Sequence, residues 1–314
     1  MGNKITIIGA GQVGSAIAFA LCLKSVASEI VMIDVKKERA MGEALDIRQG
    51  TPYLNPLNIH DGDYSDAKDS NVVIISSGVA RKAGQSRLEL AQTNVDITKT
   101  IIPEITKYAP DAIYVIVANP VDILTYQIAT TSGLPVNHVI GTGTLLDSAR
   151  LRTKIADLYG IGQPNLHAYV FGEHGDSSFI PWSLAKIASV PVDEYYKKIT
   201  TKPNIDFNHE EIEDFVRKSG GIIIAAKGCT DYGIAASTAK LCGTLKYSID
   251  AVTIASTLLT GEYGISGVCL SILTILGEHG VSGRLEAPLT DDEVAKLRHS
   301  ADCLKEVIKQ INFK

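Results

Sequence analysis

The chain has 314 residues, enough for about two domains at roughly 150 residues each, and is 45% hydrophobic and 21% charged. These proportions support substantial cores and exclude disordered, collagen-like and disulfide-scaffold classes. The net charge of −5, from 30 basic and 35 acidic residues with no long basic block, argues against nucleic-acid binding as the main function.

Five cysteines, Cys22, Cys229, Cys242, Cys269 and Cys303, are scattered and form no CxxC pair. That usage fits reduced thiols in a cytoplasmic protein better than a disulfide frame, and it suggests no metal site. The opening MGNKITIIGAG is too brief an apolar run for a signal peptide, and no stretch is long and apolar enough for a membrane span.

In chain order, the first half predicts strands at Lys4–Ile8, Glu29–Ile33, Asn71–Ser76, Ala112–Ala118 and His138–Gly141. Amphipathic helices fall between several of them, at Gln12–Leu23, Arg87–Tyr108 and Val121–Ser132. Strands apolar throughout, alternating with helices, imply an α/β fold: a doubly wound parallel sheet covered on both faces. Beyond residue 142 the alternation weakens. A helix at Leu145–Tyr159 is followed by a run at His167–Phe171 and a polar connection around Thr200–Asn208. Helices at Glu210–Arg217 and Tyr232–Tyr247 come next, then β-rich runs at Ala251–Leu259 and Gly267–Ile275, and a charged terminal helix at Asp291–Ile311. No linker separates the halves, so two closely packed lobes are expected, residues 1–142 and 143–314.

Gly9, Gly11 and Gly14 form GAGQVG between the first strand and the first helix. Glycines there permit a tight turn, close backbone approach to a pyrophosphate and helix–strand packing. The helix start, with Gln12 and Val13, offers free N–H groups to phosphates. Asp34 ends the second strand, 20 residues after Gly14. A carboxylate there bonds ribose hydroxyls and repels a 2′-phosphate, so the expected cofactor is NAD rather than NADP; Lys36 and Lys37 soften that repulsion without cancelling it.

GAGQVG, Asp34, VANP at 117–120, LLDSARLR at 145–152 and GEHGDSS at 172–178 occur together and in this order. On these motifs the chain resembles the L-lactate/malate dehydrogenase superfamily over essentially its whole length, and its bacterial lactate dehydrogenases most. The resemblance implies a Rossmann domain followed by an α+β substrate domain, and hydride exchange between NAD and a small 2-hydroxy acid.

His174 in GEHGDSS resembles the family's catalytic histidine, whose imidazole can give and take a proton near neutral pH. A second GEHG at 277–280 lacks the following Asp-Ser, and His279 there is read as a surface turn residue. Asp147 and Arg150, three apart on one helix, share a face. By resemblance Asp147 orients protonated His174, and Arg150 clamps the substrate carboxylate bidentately. Arg87 matches the arginine that polarises the ketone, and Asn119 the asparagine that holds substrate and nicotinamide.

Substrate choice is read two ways. Arg81 stands at the loop position where lactate dehydrogenases typically carry glutamine and malate dehydrogenases arginine, and it would pair with a second carboxylate. Thr230 in KGCTDYG, together with GTGTLLDSARLR and PWS at 181–183, looks lactate-like. The favoured reading is L-lactate dehydrogenase, with malate dehydrogenase the alternative and a catalytically silent NAD-binding scaffold the alternative from another class. Arg152 and His167 match positions that bind fructose 1,6-bisphosphate in allosteric bacterial relatives. Arg152 is about 200° around the helix from Arg150, which predicts that it faces away from the active site. A homotetramer is expected by resemblance.

Overall fold

The structure is a computed structural model that describes residues 3–80, 84, 86–198, 207–247 and 249–313. Its first half runs β1 (Lys4–Ile8), α1 (Gln12–Leu23), β2 (Glu29–Ile33), α2 (Lys37–Gly50), β3 (Asn58–Asp61), β4 (Val72–Ile75), α3 (Arg87–Ile105), β5 (Ile113–Ile116), α4 (Val121–Thr131) and β6 (Val139–Gly141). These six strands pair in parallel in the order β6-β5-β4-β1-β2-β3. KITII, VVII and IYVI are buried along nearly their whole length because helices cover both faces of the sheet. Each fully buried Ile or Val among them contributes about 1.5–3 kcal/mol.

The second half runs α5 (Leu145–Tyr159), β7 (Leu166–His167), β8 (Lys186–Ile187), β9 (Val190–Pro191), α6 (Val192–Tyr195), α7 (His209–Lys227), α8 (Tyr232–Leu245), β10 (Ala251–Thr260), β11 (Ser266–Gly277), β12 (Gly280–Arg284) and α9 (Asp291–Ile308). The β10–β11 pair is a long antiparallel hairpin, and β10 joins β6 antiparallel at Ser256 and Gly141. Among the described residues, nine strands therefore form one sheet, and β7, β8 and β9 form a small second one. One core cluster spans both halves; a second, around Leu151, Ile155, Tyr159 and Ile212, sits beside α5 and α7. The fold is the expected Rossmann sheet followed by an α+β portion. Among the described residues, no helix is long and apolar enough to cross a membrane.

The element bounds differ from expectation where local chemistry is ambiguous. α7 continues ten residues beyond the expected end at Arg217, through Gly220 and Gly221, residues of low helix propensity. A Cβ on Gly220 would be in ordinary van der Waals contact with the Arg150 guanidinium, 3.4 Å away, so α7 runs directly beside that side chain. α2 buries only Ala40 and Ala44, too thin an apolar stripe to stand out. Of the 167–171 run only His167 lies in a strand, at the end of Leu166–His167; Phe171 and the next residue, Gly172, instead make single bridges to Phe179 and Ser271. The expected connection around 200–208 falls largely outside the described residues.

Candidate active site

The turn after β1 is shaped by steric exclusion. Gly9 has φ +105°, and a Cβ on Gly14 would collide with the Gly9 carbonyl oxygen. Gly11 caps α1 without a side-chain bond, which leaves the N–H groups of the first turn, from Gln12 to Gly14, available to a ligand. Asp34, just past β2, accepts from the Ala10 N–H at 2.8 Å and the Lys36 N–H at 2.9 Å. Its carboxylate is thereby fixed beside the turn, and it lines a cavity of about 280 Å³ with Val35, Lys37 and Ser77. A cradle closed to side chains, a helix start with free donors and a fixed carboxylate together fit a dinucleotide.

The residues of GEHGDSS are held by four different elements. Gly172 N–H donates to Ser271 O on β11 at 3.0 Å. Glu173 N–H donates to Ser300 Oγ on α9 at 2.8 Å, and His174 N–H donates to Asp122 Oδ2 on α4 at 2.7 Å. The His174 ring meets α5, with Nδ1 2.6 Å from Asp147 Oδ2. Arg150 Nη1 donates to the other oxygen of Asp147 at 2.9 Å, so one buried carboxylate organises both residues.

Burial opposes charge on the His174 ring, but the charge and hydrogen bond of Asp147 outweigh it and raise the ring's pKa above its ordinary 6.5. Burial likewise works against the Asp147 carboxylate. His174 and then Arg150 reverse that, holding it below its ordinary 3.8. A charged acid–base couple is the arrangement that results.

His174 opens onto a cavity of about 320 Å³ that Arg87, Asn119, Asp122 and Leu304 also line. Arg87 begins α3 directly after the Ser86 cap, whose reciprocal bonds with Glu89 fix the helix start. Its guanidinium lies 2.6 Å from Asp176, with both side chains about two-thirds exposed. Asn119 ends the loop after β5, and its carbonyl accepts from Asn94 Nδ2 at 2.7 Å. The Asn94 amide also exchanges bonds with the Val79 N–H and carbonyl, tying two strand-end loops together.

Arg150 and Thr230 line a larger neighbouring cavity of about 540 Å³ between α5, α7 and α8. Arg152 lines it as well, contrary to the expectation that it faces away. The angular separation holds at the backbone, but two long side chains can reach over one hollow that three helices enclose. His167 is exposed on β7, opposite Lys186 in the strand register, and does not line that cavity. Arg81 lies outside the described residues. His279 occupies the turn between β11 and β12 with its side chain 91% exposed, and its carbonyl accepts from Asn137. Asp122, Asn94 and Ser300 were not singled out from the sequence. An acidic residue inside the largely apolar VDIL run was the signal available for Asp122; Asn94 sits among polar neighbours in AQTNVD and carried none.

Residues 3–141 match the profile of the lactate/malate dehydrogenase NAD binding domain, and residues 144–313 that of the lactate/malate dehydrogenase alpha/beta C-terminal domain. The chain is 41% identical over 311 residues to an L-lactate dehydrogenase of Thermoanaerobacter sp. (strain X514), covering 99% of this chain and 100% of that one. It is also 41% identical over 303 residues to an L-lactate dehydrogenase of Clostridium perfringens (strain SM101 / Type A), covering 96% and 95%. Among solved structures it resembles the minor L-lactate dehydrogenase from Enterococcus mundtii in the ligands-bound form. That match has a TM-score of 0.95 and 36% identity, over 100% of this chain and 99% of the other.

Proposed function

Because this chain belongs to the lactate/malate dehydrogenase family of NAD-dependent oxidoreductases acting on the CH–OH group of 2-hydroxy acids, we propose that it interconverts pyruvate and L-lactate. The contact between His174 and Asp147 carries the reading, since it prepares a charged imidazole beside a cavity. Full-length similarity to proteins named L-lactate dehydrogenase favours the monocarboxylate and weighs against malate.

In reduction, Asp147 holds Nδ1 and leaves Nε2 of protonated His174 to give its proton to the keto oxygen; in oxidation the neutral ring takes that proton back. Arg150 pairs with the substrate carboxylate, and Asn119 and Thr230 border the reacting carbon. Arg87 exchanges Asp176 for the polarised carbonyl oxygen, where negative charge develops. The first turn of α1, with Gly9, Gly11, Gln12, Val13 and Gly14, and the carboxylate of Asp34 hold the dinucleotide. When bound, the nicotinamide supplies the hydride chemistry.

The same reading assigns residues 1–142 to the nucleotide and 143–314 to the substrate. It extends to a cytoplasmic homotetramer, supported by exposed apolar side chains on α1 and α2 (Phe19, Leu23, Met41 and Leu45) and by five free thiols. Arg152 and His167 are the groups offered to fructose 1,6-bisphosphate.

NADH oxidation followed optically with a panel of 2-keto acids, with and without fructose 1,6-bisphosphate, tests the assignment. Pyruvate should be the best substrate, and silence with every acid would sink it. Arg81 is the one residue that favours a dicarboxylate. Arg81→Gln should change the pyruvate-to-oxaloacetate ratio of kcat/KM by about tenfold or more, and an unchanged ratio would remove Arg81 from substrate selection.

A further inference from the structure

Asp122 has no part in the mechanism above, yet it is 4% exposed and accepts a hydrogen bond from the His174 main chain. We propose that Asp122 is a charged positioning residue for His174, fixing the histidine's main chain from α4 as Asp147 fixes its ring from α5. The inference rests on the reading of His174 as the proton donor.

Three consecutive N–H groups, those of Gly172, Glu173 and His174, each find a separate acceptor, and only the third acceptor is a carboxylate. A backbone carbonyl or a serine, as at the two preceding positions, would satisfy an N–H equally well. A carboxylate inside the protein is costly unless its charge has a use, because burial strongly disfavours the ion. Asp122 is held rigidly for one: Ser256 Oγ on β10 donates to Oδ1 at 2.6 Å while His174 N–H donates to Oδ2 at 2.7 Å. Its place in the first turn of α4 also favours negative charge there.

The surrounding groups set the sign of its effect. Burial pushes Asp122 up to about 6, with the Ser256 and His174 bonds pulling the other way and Glu173 adding to the rise. The Asp147–Arg150 pair faces the same ring from α5, and Arg87 faces the same cavity from α3. On β11 the Cys269 thiol is held un-ionised, by burial first and then by Asp122, with Arg284 on β12 opposing. Above about pH 6 Asp122 is therefore the second anion that favours a charged His174, after Asp147.

The test compares Asp122→Asn with wild type in pyruvate reduction across pH 6–10, with thermal unfolding recorded alongside. Asparagine keeps the acceptor for His174 N–H and removes the charge. The expected result is a several-fold lower kcat, an unchanged KM for pyruvate, and an alkaline limb of kcat/KM displaced to lower pH by about half a unit or more. An unmoved limb, or a loss confined to thermal stability, would make Asp122 structural and overturn the inference. If Asp122→Asn does not fold, Ser256→Ala serves instead. It frees only Oδ1 and should lower kcat several-fold at constant KM, and an unchanged kcat would overturn the inference. His174→Gln is the control: full turnover in that variant would defeat the reading of His174 itself, whereas lost turnover beside a normal Asp122→Asn would defeat only the role of Asp122.

Discussion

Arg87, which lines the cavity onto which His174 opens, meets Asp176 at 2.6 Å, yet each side chain is about two-thirds exposed. A pair so open to water contributes only about 0–1 kcal/mol to stability. Arg87→Ala should therefore leave the unfolding midpoint within a few degrees of wild type. Loss of a donor aimed at developing charge should still lower kcat by about 10²-fold or more. Calorimetry and steady-state kinetics on one preparation would check both halves, and a large fall in the midpoint would contradict the exposed geometry.

The coupling of Asp147 to His174 fixes a pH dependence. Reduction needs the protonated ring, so its rate declines as pH rises through a His174 pKa that lies above 6.5. In Asp147→Asn the alkaline limb should move down, because the opposing effect of burial then dominates. Stability follows the same linkage. The raised His174 contributes stability that is complete below about 6.5 and lost as pH climbs through the folded pKa. The lowered Asp147 contributes stability present above 3.8, lost as pH falls through its folded pKa. In denaturant titrations between pH 3 and 9, the stability gap between wild type and Asp147→Asn should be widest between about 3.8 and 6.5 and narrow toward both ends.

Two glycines of one turn should respond differently to alanine. At Gly14 a Cβ strikes the backbone of Gly9, which cannot move without displacing β1, so Gly14→Ala should fold poorly or unfold many degrees lower. Nothing lies within 4 Å of a Cβ on Gly11, and its φ of −75° suits any residue. Gly11→Ala should keep wild-type stability and weaken NADH binding by about tenfold, equivalent to about 1.4 kcal/mol. Equal NADH affinity in Gly11→Ala and wild type, by fluorescence titration, would remove that glycine from the phosphate site.

Asp34 carries both structural and selective weight. Asn at this position keeps one acceptor for the Ala10 or Lys36 N–H and discards the charge that repels a 2′-phosphate. Asp34→Asn should raise the NADPH-to-NADH ratio of kcat/KM by about tenfold or more, helped by the adjacent Lys36 and Lys37. An unaltered ratio would mean that something other than Asp34 excludes the phosphate.

Much of this was legible in sequence because it is encoded in short runs. GAGQVG declares its turn through Gly9 and Gly14, where a side chain does not fit, and KITII, VVII and IYVI declare a sheet covered on both faces. Asp147 and Arg150 announce a shared face by spacing alone. What escaped notice is joined across the chain: Asp122 lies 52 residues from His174 and 134 from Ser256, and only the assembled sheet brings them together. The orientation of Arg152 was misread for a related reason. Helical angle locates a Cα, while the hollow that α7 and α8 create beside it depends on tertiary packing.

The antiparallel pairing of Ser256 with Gly141 joins the two halves into one sheet. Side chains on a strand alternate between faces, so slipping β10 by one residue would turn Ser256 away from α4 and strip Asp122 of its partner. Catalytic competence in this protein is thus a report on strand alignment. A chain that closes its sheet in the wrong frame can be compact and bind nucleotide, yet turn over nothing, which makes specific activity a sensitive assay for correct folding.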